Sequence, residues 1–257
     1  MLRRRLFGIL STAVVPPARA SGADRASKAV KSGRQLLRVE SAGWTATTGV
    51  LTLWARDTND GKWRQAGAEI PVLLGRNGLR WGRGLHVVPD GVPVKCEGDG
   101  CSPAGVFQLD TAFGSMPVGQ SGAVRWPWQT MTASHAGVDD PRSRHYNRVV
   151  DAAVVKKDWS SAEDMVPKSG VYRRGIVVRH NWSQQPGAGS CIFLHLRFGA
   201  GKPTAGCTAM AEPELVRILG WLDPGMHPLL VQLPRSEWLV KGPEWGLPAS
   251  PNSIKAR

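Results

Sequence analysis

The stretch Cys191–Met210, CIFLHLRFGAGKPTAGCTAM, opens on a short apolar run, carries a histidine and, after a glycine-containing connection, reaches a cysteine. Cys191-Ile192-Phe193-Leu194 is rich in strand formers and predicts a strand with His195 at its end. Cys207 follows twelve positions later, behind Thr204-Ala205-Gly206. That separation is too long for one helical face and suits a strand, a loop and a return. A thiol brought to an imidazole is a nucleophile in waiting, because the thiolate is the attacking form. Gly206 permits the tight turn with exposed backbone N–H groups that an oxyanion site needs. The competing reading is a core histidine beside an inert thiol, since free cysteine is commonly buried.

Outward from this stretch the pattern is mainly β with a few short helices. Leu51 and Leu53, then Val72 and Leu74, sit in short apolar or alternating runs separated by the turn signals Thr58-Asn59-Asp60-Gly61 and Arg76-Asn77-Gly78. Further strands are expected at 92–94, 105–109, 175–178, 191–195 and 229–233. Glu212-Pro213-Glu214 places proline and acids in a first turn, and Leu215, Ile218, Leu219 and Leu222 recur at helical spacing before Asp223-Pro224 stops them. Ser160-Ser161-Ala162-Glu163 reads as a capping box opening a shorter helix that ends before Pro167.

The 257 residues carry a formal charge of +13. Residues 1–20 read as a secretory signal peptide: Arg3-Arg4-Arg5, an apolar run from Leu6 to Val15, then Ala18-Arg19-Ala20 as a cleavage site. The apolar run is far shorter than the roughly 20 residues that span a bilayer, so no transmembrane segment is expected after cleavage. Removing residues 1–20 takes away four arginines and no acid, lowering the charge to +9. A basic exported chain favours anionic polymers of the cell envelope or periplasm, and no nucleic-acid motif accompanies the charge. Residues 21–34 read as a linker, 35–241 as one catalytic domain, and 242–257 as a flexible tail rich in Pro, Gly and Ser. Export permits disulfides, and a Cys96–Cys101 bridge across KCEGDGC is an open alternative to free thiols. Cys191, His195 and Cys207 lack the paired short intervals of a structural zinc motif, so no metal is expected.

His195 followed by Thr204-Ala205-Gly206-Cys207 resembles the histidine and S/T-x-G-C nucleophile motif of the L,D-transpeptidase catalytic domain, the YkuD-type family of cell-wall cysteine enzymes. Gly98-Asp99-Gly100-Cys101-Ser102-Pro103-Ala104-Gly105-Val106-Phe107 resembles that family's G-D-x-x-T/S-P-x-G-x-F hairpin. Tyr146-Asn147, 159–165 (WSSAEDM), His180-Asn181 and 187–190 (GAGS) look like further landmarks of one branch. The resemblance runs from about Leu37 to Pro234. It implies a mixed β-sandwich core and an exported enzyme of peptidoglycan biosynthesis and cell-wall organisation, with consequences for cell shape. Cys207 would attack an L-centre carbonyl of a peptidoglycan peptide stem, expel the terminal D-residue and form a thioester. An acceptor amine would then resolve that thioester, with His195 as base and then acid. An adjacent imidazolium is expected to favour the thiolate. No cofactor is implied, and a monomer is expected.

In that family a backbone carbonyl beside the histidine orients its ring, which Leu196 would supply here. Gly206, Cys207 and Ala205 would offer oxyanion N–H groups, and Thr204 would brace the loop. Three positions depart from the commoner pattern: Leu196 replaces a small residue, Ala205 a frequent second histidine, and Ala209 a polar residue. Tyr146, Asn147, Glu163, Asn181 and Arg197 are candidate substrate contacts, set against turn-stabilising and helix-capping alternatives. Trp126 and Trp128 could stack on sugars or pack in the core. The rival functions are a carboxypeptidase or hydrolase using the same dyad, and a non-catalytic wall-binding domain.

Overall fold

The computed structural model describes residues 22–117, 124–199 and 201–249. The signal-peptide expectation and the last part of the expected tail lie outside them. The chain folds as α1 (Gly22–Ser32), β1 (Gln35–Ser41), β2 (Thr48–Ala55), β3 (Arg64–Gln65), β4 (Ile70–Leu73), β5 (Leu79–Trp81) and the long β6 (Ser102–Gly114). There follow β7 (Trp128–Thr130), β8 (His135–Val138), β9 (Arg148–Asp151), β10 (Ala162–Asp164), β11 (Gly175–Val178), β12 (Phe193–Leu196) and β13 (Thr208–Met210). Helix α2 (Glu212–Trp221), β14 (Leu229–Pro234) and α3 (Arg235–Trp245) complete it. The fold is mainly β, as the pattern predicts.

Its main sheet is mixed and curls on itself. The order β1-β14-β6-β11-β12-β13-β4-β2 returns to its start because β1 pairs with β14 on one edge, parallel, and with β2 on the other, antiparallel. Closure turns the expected sandwich into a barrel-like sheet, and β1, β14 and β2 keep no free edge along the closing seam. A separate three-stranded sheet has the order β10-β8-β9. Leu36, Leu37, Val39, Val106, Phe107, Ile176, Leu194 and Val231 fill the main core. A second apolar cluster of Phe113, Met131, Met165, Cys191, Phe193 and Cys207 lies apart from it. The nucleophile candidate therefore starts in a small, dry cluster of its own.

Helix α2 forms where the spacing predicts it. Leu215, Ile218 and Leu219 are its buried face, each contributing roughly 1.5–3 kcal/mol by burial. Its placement directly after β13 ties the cysteine loop to the core.

Four segments differ from the sequence reading. The strand expected at 92–94 is a loop that makes a single bridge, Val94 to Trp81, because it passes β5 at one residue before turning into the 96–101 loop. Residues expected as a linker form α1, because Ala26 and Val30, four apart on one face, are buried in the core. The Arg56 guanidinium satisfies the carbonyls of Val30, Lys31 and Gly33 at the C-terminal end of α1. The expected helix after Ser160 is strand β10. The Ser160 hydroxyl donates to Asp140 Oδ2 at 2.7 Å, and the Ser160 N–H donates to the same atom at 2.9 Å. The Glu163 carboxylate accepts from Tyr172 Oη, so neither half of a capping box is available. The expected tail begins later than residue 242, since α3 runs to Trp245 and buries Trp238 and Trp245. Cys96 and Cys101 are free thiols, Cys96 exposed and Cys101 buried. Cys101 Sγ donates to Asn77 O at 3.4 Å instead of bridging.

Candidate functional site

Strands β12 and β13 pair in parallel, with Leu194 opposite Thr208 and His195 opposite Ala209. Alternation then puts Phe193 and His195 on the same face as Cys207 and Ala209. His195, Thr204, Ala205, Cys207 and Ala209 line one cleft of ≈ 360 Å³. Val171, Tyr172, Phe198 and Pro203 supply its apolar walls, while Lys202 and Glu163 are its charged residues. Ala209, opposite His195, gives the imidazole room that a larger side chain would fill.

His195 Nδ1 lies 2.8 Å from Leu196 O. A carbonyl only accepts, so the proton sits on Nδ1 and Nε2 carries the free lone pair. The Tyr172 ring meets the imidazole perpendicularly, with centroids 5.2 Å apart. Burial lowers the His195 pKa to about 4, only partly offset by the Leu196 hydrogen bond. Cys207 Sγ donates to Cys191 O at 3.4 Å and accepts from Phe193 N–H at 3.3 Å. Burial pushes its thiol well above the ordinary range, and Glu163 raises it further. Burial thus favours the neutral thiol and the neutral imidazole over the charged pair. Desolvation is the first cause of both shifts, because both side chains sit among apolar neighbours, and the thiol proton is directed to Cys191 O.

The loop before the thiol is held from three sides. Thr204 Oγ1 donates to Cys207 O at 2.6 Å and accepts from Gly206 N at 3.1 Å. Ser102 Oγ donates to the same Cys207 carbonyl at 2.9 Å and accepts from Gly75 N. Gly206 has φ 155°, and a Cβ there would meet Cys101 O at 3.0 Å and Lys95 Nζ at 3.3 Å. Lys95 is buried behind the loop and pairs with Asp99 Oδ1 at 2.9 Å. Asp99 also accepts from the N–H groups of Cys96 and Cys101. Hence the glycine-rich 98–107 segment acts as a brace for the cysteine loop. The Gly206 N–H is committed to Thr204, which removes it from the expected oxyanion donors and leaves Ala205 and Cys207.

Of the expected substrate contacts, only Glu163 reaches this cleft. Tyr146 is buried, and its hydroxyl donates to Glu97 at 2.5 Å. Asn147 donates to the carbonyls of His180 and Asn181 and accepts from Cys191 N–H. Asn181, at φ 48°, bonds Gln185 O and Gly189 O. Both asparagines shape the 180–191 turn, using the amide side chain to satisfy backbone groups that the left-handed conformation strands. Arg197 is exposed and does not line the cleft. His180 accepts from Arg83 N and contacts Ala188 O, so it is a buried brace. Trp126 and Trp128 pack against the main core.

Tyr172, Ser102 and Lys95 support the site with no signal of that role in the sequence around them. Tyr172 carried no motif of its own, and Ser102 was visible only as part of the 98–107 pattern. Burial raises the Glu163 pKa to about 7 despite its hydrogen bond from Tyr172. Among the described residues no three His, Cys, Asp or Glu side chains form a metal-binding group. No described helix is long and apolar enough to cross a membrane.

The chain matches no protein-family model and no curated protein. Among solved structures it is similar to the helical cell shape determining protein Pgp2 from Campylobacter jejuni, at 13% identity and a TM-score of 0.37. That match covers 82% of this chain and 54% of the other, so the chain spans about half the length of that protein.

Proposed function

We propose that the protein is an exported cysteine L,D-transpeptidase acting on peptidoglycan stem peptides through a thioester on Cys207. The observation that carries this reading is the shared cleft: Cys207 and His195 lie on one face of adjacent parallel strands, with the imidazole tautomer fixed by the Leu196 carbonyl. A neutral imidazole with Nε2 free is the form a general base needs.

The first half-reaction starts from the neutral pair. As the stem carbonyl enters the cleft, His195 Nε2 takes the Cys207 proton while sulfur attacks, and the Ala205 and Cys207 N–H groups receive the oxyanion. The imidazolium then protonates the departing amine of the D-residue. An acceptor amine reverses the sequence, releasing the thiol. The basic charge and signal-like N-terminus agree with work at an anionic wall outside the cytoplasm.

Incubating the full chain lacking residues 1–20 with purified muropeptides tests this. New cross-linked dimers are expected from wild type and none from Cys207→Ala. Trimmed monomers alone would make the enzyme a hydrolase with the same dyad. Unchanged turnover in Cys207→Ala would overturn the reading, and absence of any turnover together with retained wall binding would make the domain a binding module. A carbapenem adduct mapped by mass to Cys207 would establish acyl chemistry at that sulfur.

A further inference from the structure

Glu163 belongs to the three-stranded sheet, where β10 pairs with β8 and Glu163 lies opposite Gly137. It is the one acidic residue lining the Cys207 cleft, and it also lines a neighbouring cavity of ≈ 260 Å³ with His135, Lys157, Trp159 and Asp164. Tyr172 Oη donates to Glu163 Oε2, and the same tyrosine ring packs on His195. Oε1 has no protein partner among the described residues. A carboxylate held by one oxygen therefore stands between the thiol site and a second cavity.

The proton inventory of amine transfer asks for such a group. An acceptor amine reaches the site near neutrality as an ammonium and must lose two protons to become an amide nitrogen. His195 has Nδ1 committed to Leu196 O and one free nitrogen, so it carries one proton at a time. That proton returns to the departing Cys207 sulfur. A second base must take the other.

We infer that Glu163 is a catalytic residue of the second half-reaction, its carboxylate receiving the acceptor ammonium and removing its first proton. The inference rests on the transpeptidase reading. The ammonium gives one proton to Glu163 and becomes a neutral amine. The amine nitrogen attacks the thioester carbonyl, and His195 takes its second proton. The C–S bond then breaks, and that proton passes to sulfur. An amide, a free thiol and a protonated Glu163 result, and Glu163 loses its proton to solvent. Tyr172 is the positioning residue that fixes Oε2 and leaves Oε1 for the ammonium.

The test separates the half-reactions. Wild type, Glu163→Gln and Glu163→Asp, each shown folded by circular dichroism, are acylated with a stem tetrapeptide, and the thioester is followed by intact mass. Resolution is then timed with a stem acceptor amine and, separately, with hydroxylamine, which is uncharged at neutral pH and needs no prior deprotonation. Glu163→Gln removes a charge that raises the Cys207 thiol pKa, so it is expected to acylate at least as fast as wild type and to resolve with hydroxylamine normally, but to lose about 100-fold with the ammonium acceptor. Glu163→Asp should recover part of that loss. Equal losses with both nucleophiles, no loss with either, or loss of acylation itself would overturn the inference. Absence of a Cys207 thioester in wild type would instead overturn the transpeptidase reading on which it stands.

Discussion

Thr204→Val tests how the cysteine loop is held. The substitution keeps the volume and removes one hydroxyl, which in the structure donates to Cys207 O at 2.6 Å and accepts from Gly206 N at 3.1 Å. Ser102 still donates to the same carbonyl, so that acceptor keeps a partner. The Gly206 N–H loses its acceptor in a buried position, at a cost of about 1–3 kcal/mol. For a domain of this size each kcal/mol lowers Tm by about 2–4 °C, so a drop of roughly 2–12 °C is expected in a thermal melt. If the same energy is what holds sulfur in its attack geometry, carbapenem acylation slows roughly ten- to a hundredfold.

Thr204→Ser keeps the hydroxyl and should stay within about twofold of wild type in acylation, a margin of under 0.5 kcal/mol. Ser102→Ala should acylate faster than Thr204→Val, because it strands no N–H of the cysteine loop itself. Two results would refute the reasoning. One is a Thr204→Val variant with wild-type Tm and acylation, and the other is a Thr204→Ser variant as impaired as the valine, which would make the methyl group rather than the hydroxyl the determinant.

Acylation of Glu163→Gln by a carbapenem should be flat from about pH 5 to neutrality and fall below about pH 4, because His195 must be unprotonated to take the thiol proton; a limb near 6.5 in both wild type and Glu163→Gln would refute a desolvated imidazole. Glu163 has a folded pKa of about 7, raised above its unfolded value of 4.5, so its contribution to stability is greatest below pH 4.5 and is lost as pH rises to 7. Glu163→Gln should remove that slope and, at pH 7.5, raise urea stability by about 1–2 kcal/mol after allowance for partial solvent access. Brief alkylation of the native chain should label Cys96, with Cys101, Cys191 and Cys207 reacting after denaturation; a 96–101 disulfide in mass mapping would contradict the structure. Trp245→Ala should destabilise the fold by about 3–5 kcal/mol in urea, since a flexible tail would show no effect.

What could be read from the sequence was local. The strand ending at His195, the Thr204–Cys207 loop and the α2 helix each announce themselves through neighbouring residues, whose preferences and spacing act over one or two turns of chain. The α1 helix was not legible in that way, because the small and polar residues around Ala26 and Val30 hide the pair and give the segment the composition of a linker. Other features are tertiary. Ser160 and Glu163 spell a helix start, yet Asp140 and Tyr172 take their side chains, and neither partner is visible within a capping-box window. The ring closure through β1 depends on β14, nearly two hundred residues away. Tyr146, Asn147 and Asn181 have the chemistry of substrate contacts and spend it on backbone groups of a buried turn, a use that residue type alone does not distinguish.

The charge state of the dyad follows from the same tertiary context. Phe113, Met165 and Phe193 surround Cys207, and Tyr172 covers His195, so the cluster that positions the two groups also strips water from them. An ion pair there would have to repay two desolvation penalties with one Coulomb attraction. Keeping the proton on sulfur would protect the thiol in the oxidising compartment proposed for the chain, because the thiolate is the form that oxidants and stray electrophiles attack. On this reading the thiol stays inert until a carbonyl occupies the cleft, when its proton passes to His195 Nε2 as sulfur attacks and the negative charge moves to the carbonyl oxygen. Glu163 then opposes premature ionisation as well: its carboxylate raises the thiol pKa from across the cleft, and arrival of an ammonium beside it would cancel that repulsion. The thiolate would become a better leaving group at the step that must expel it.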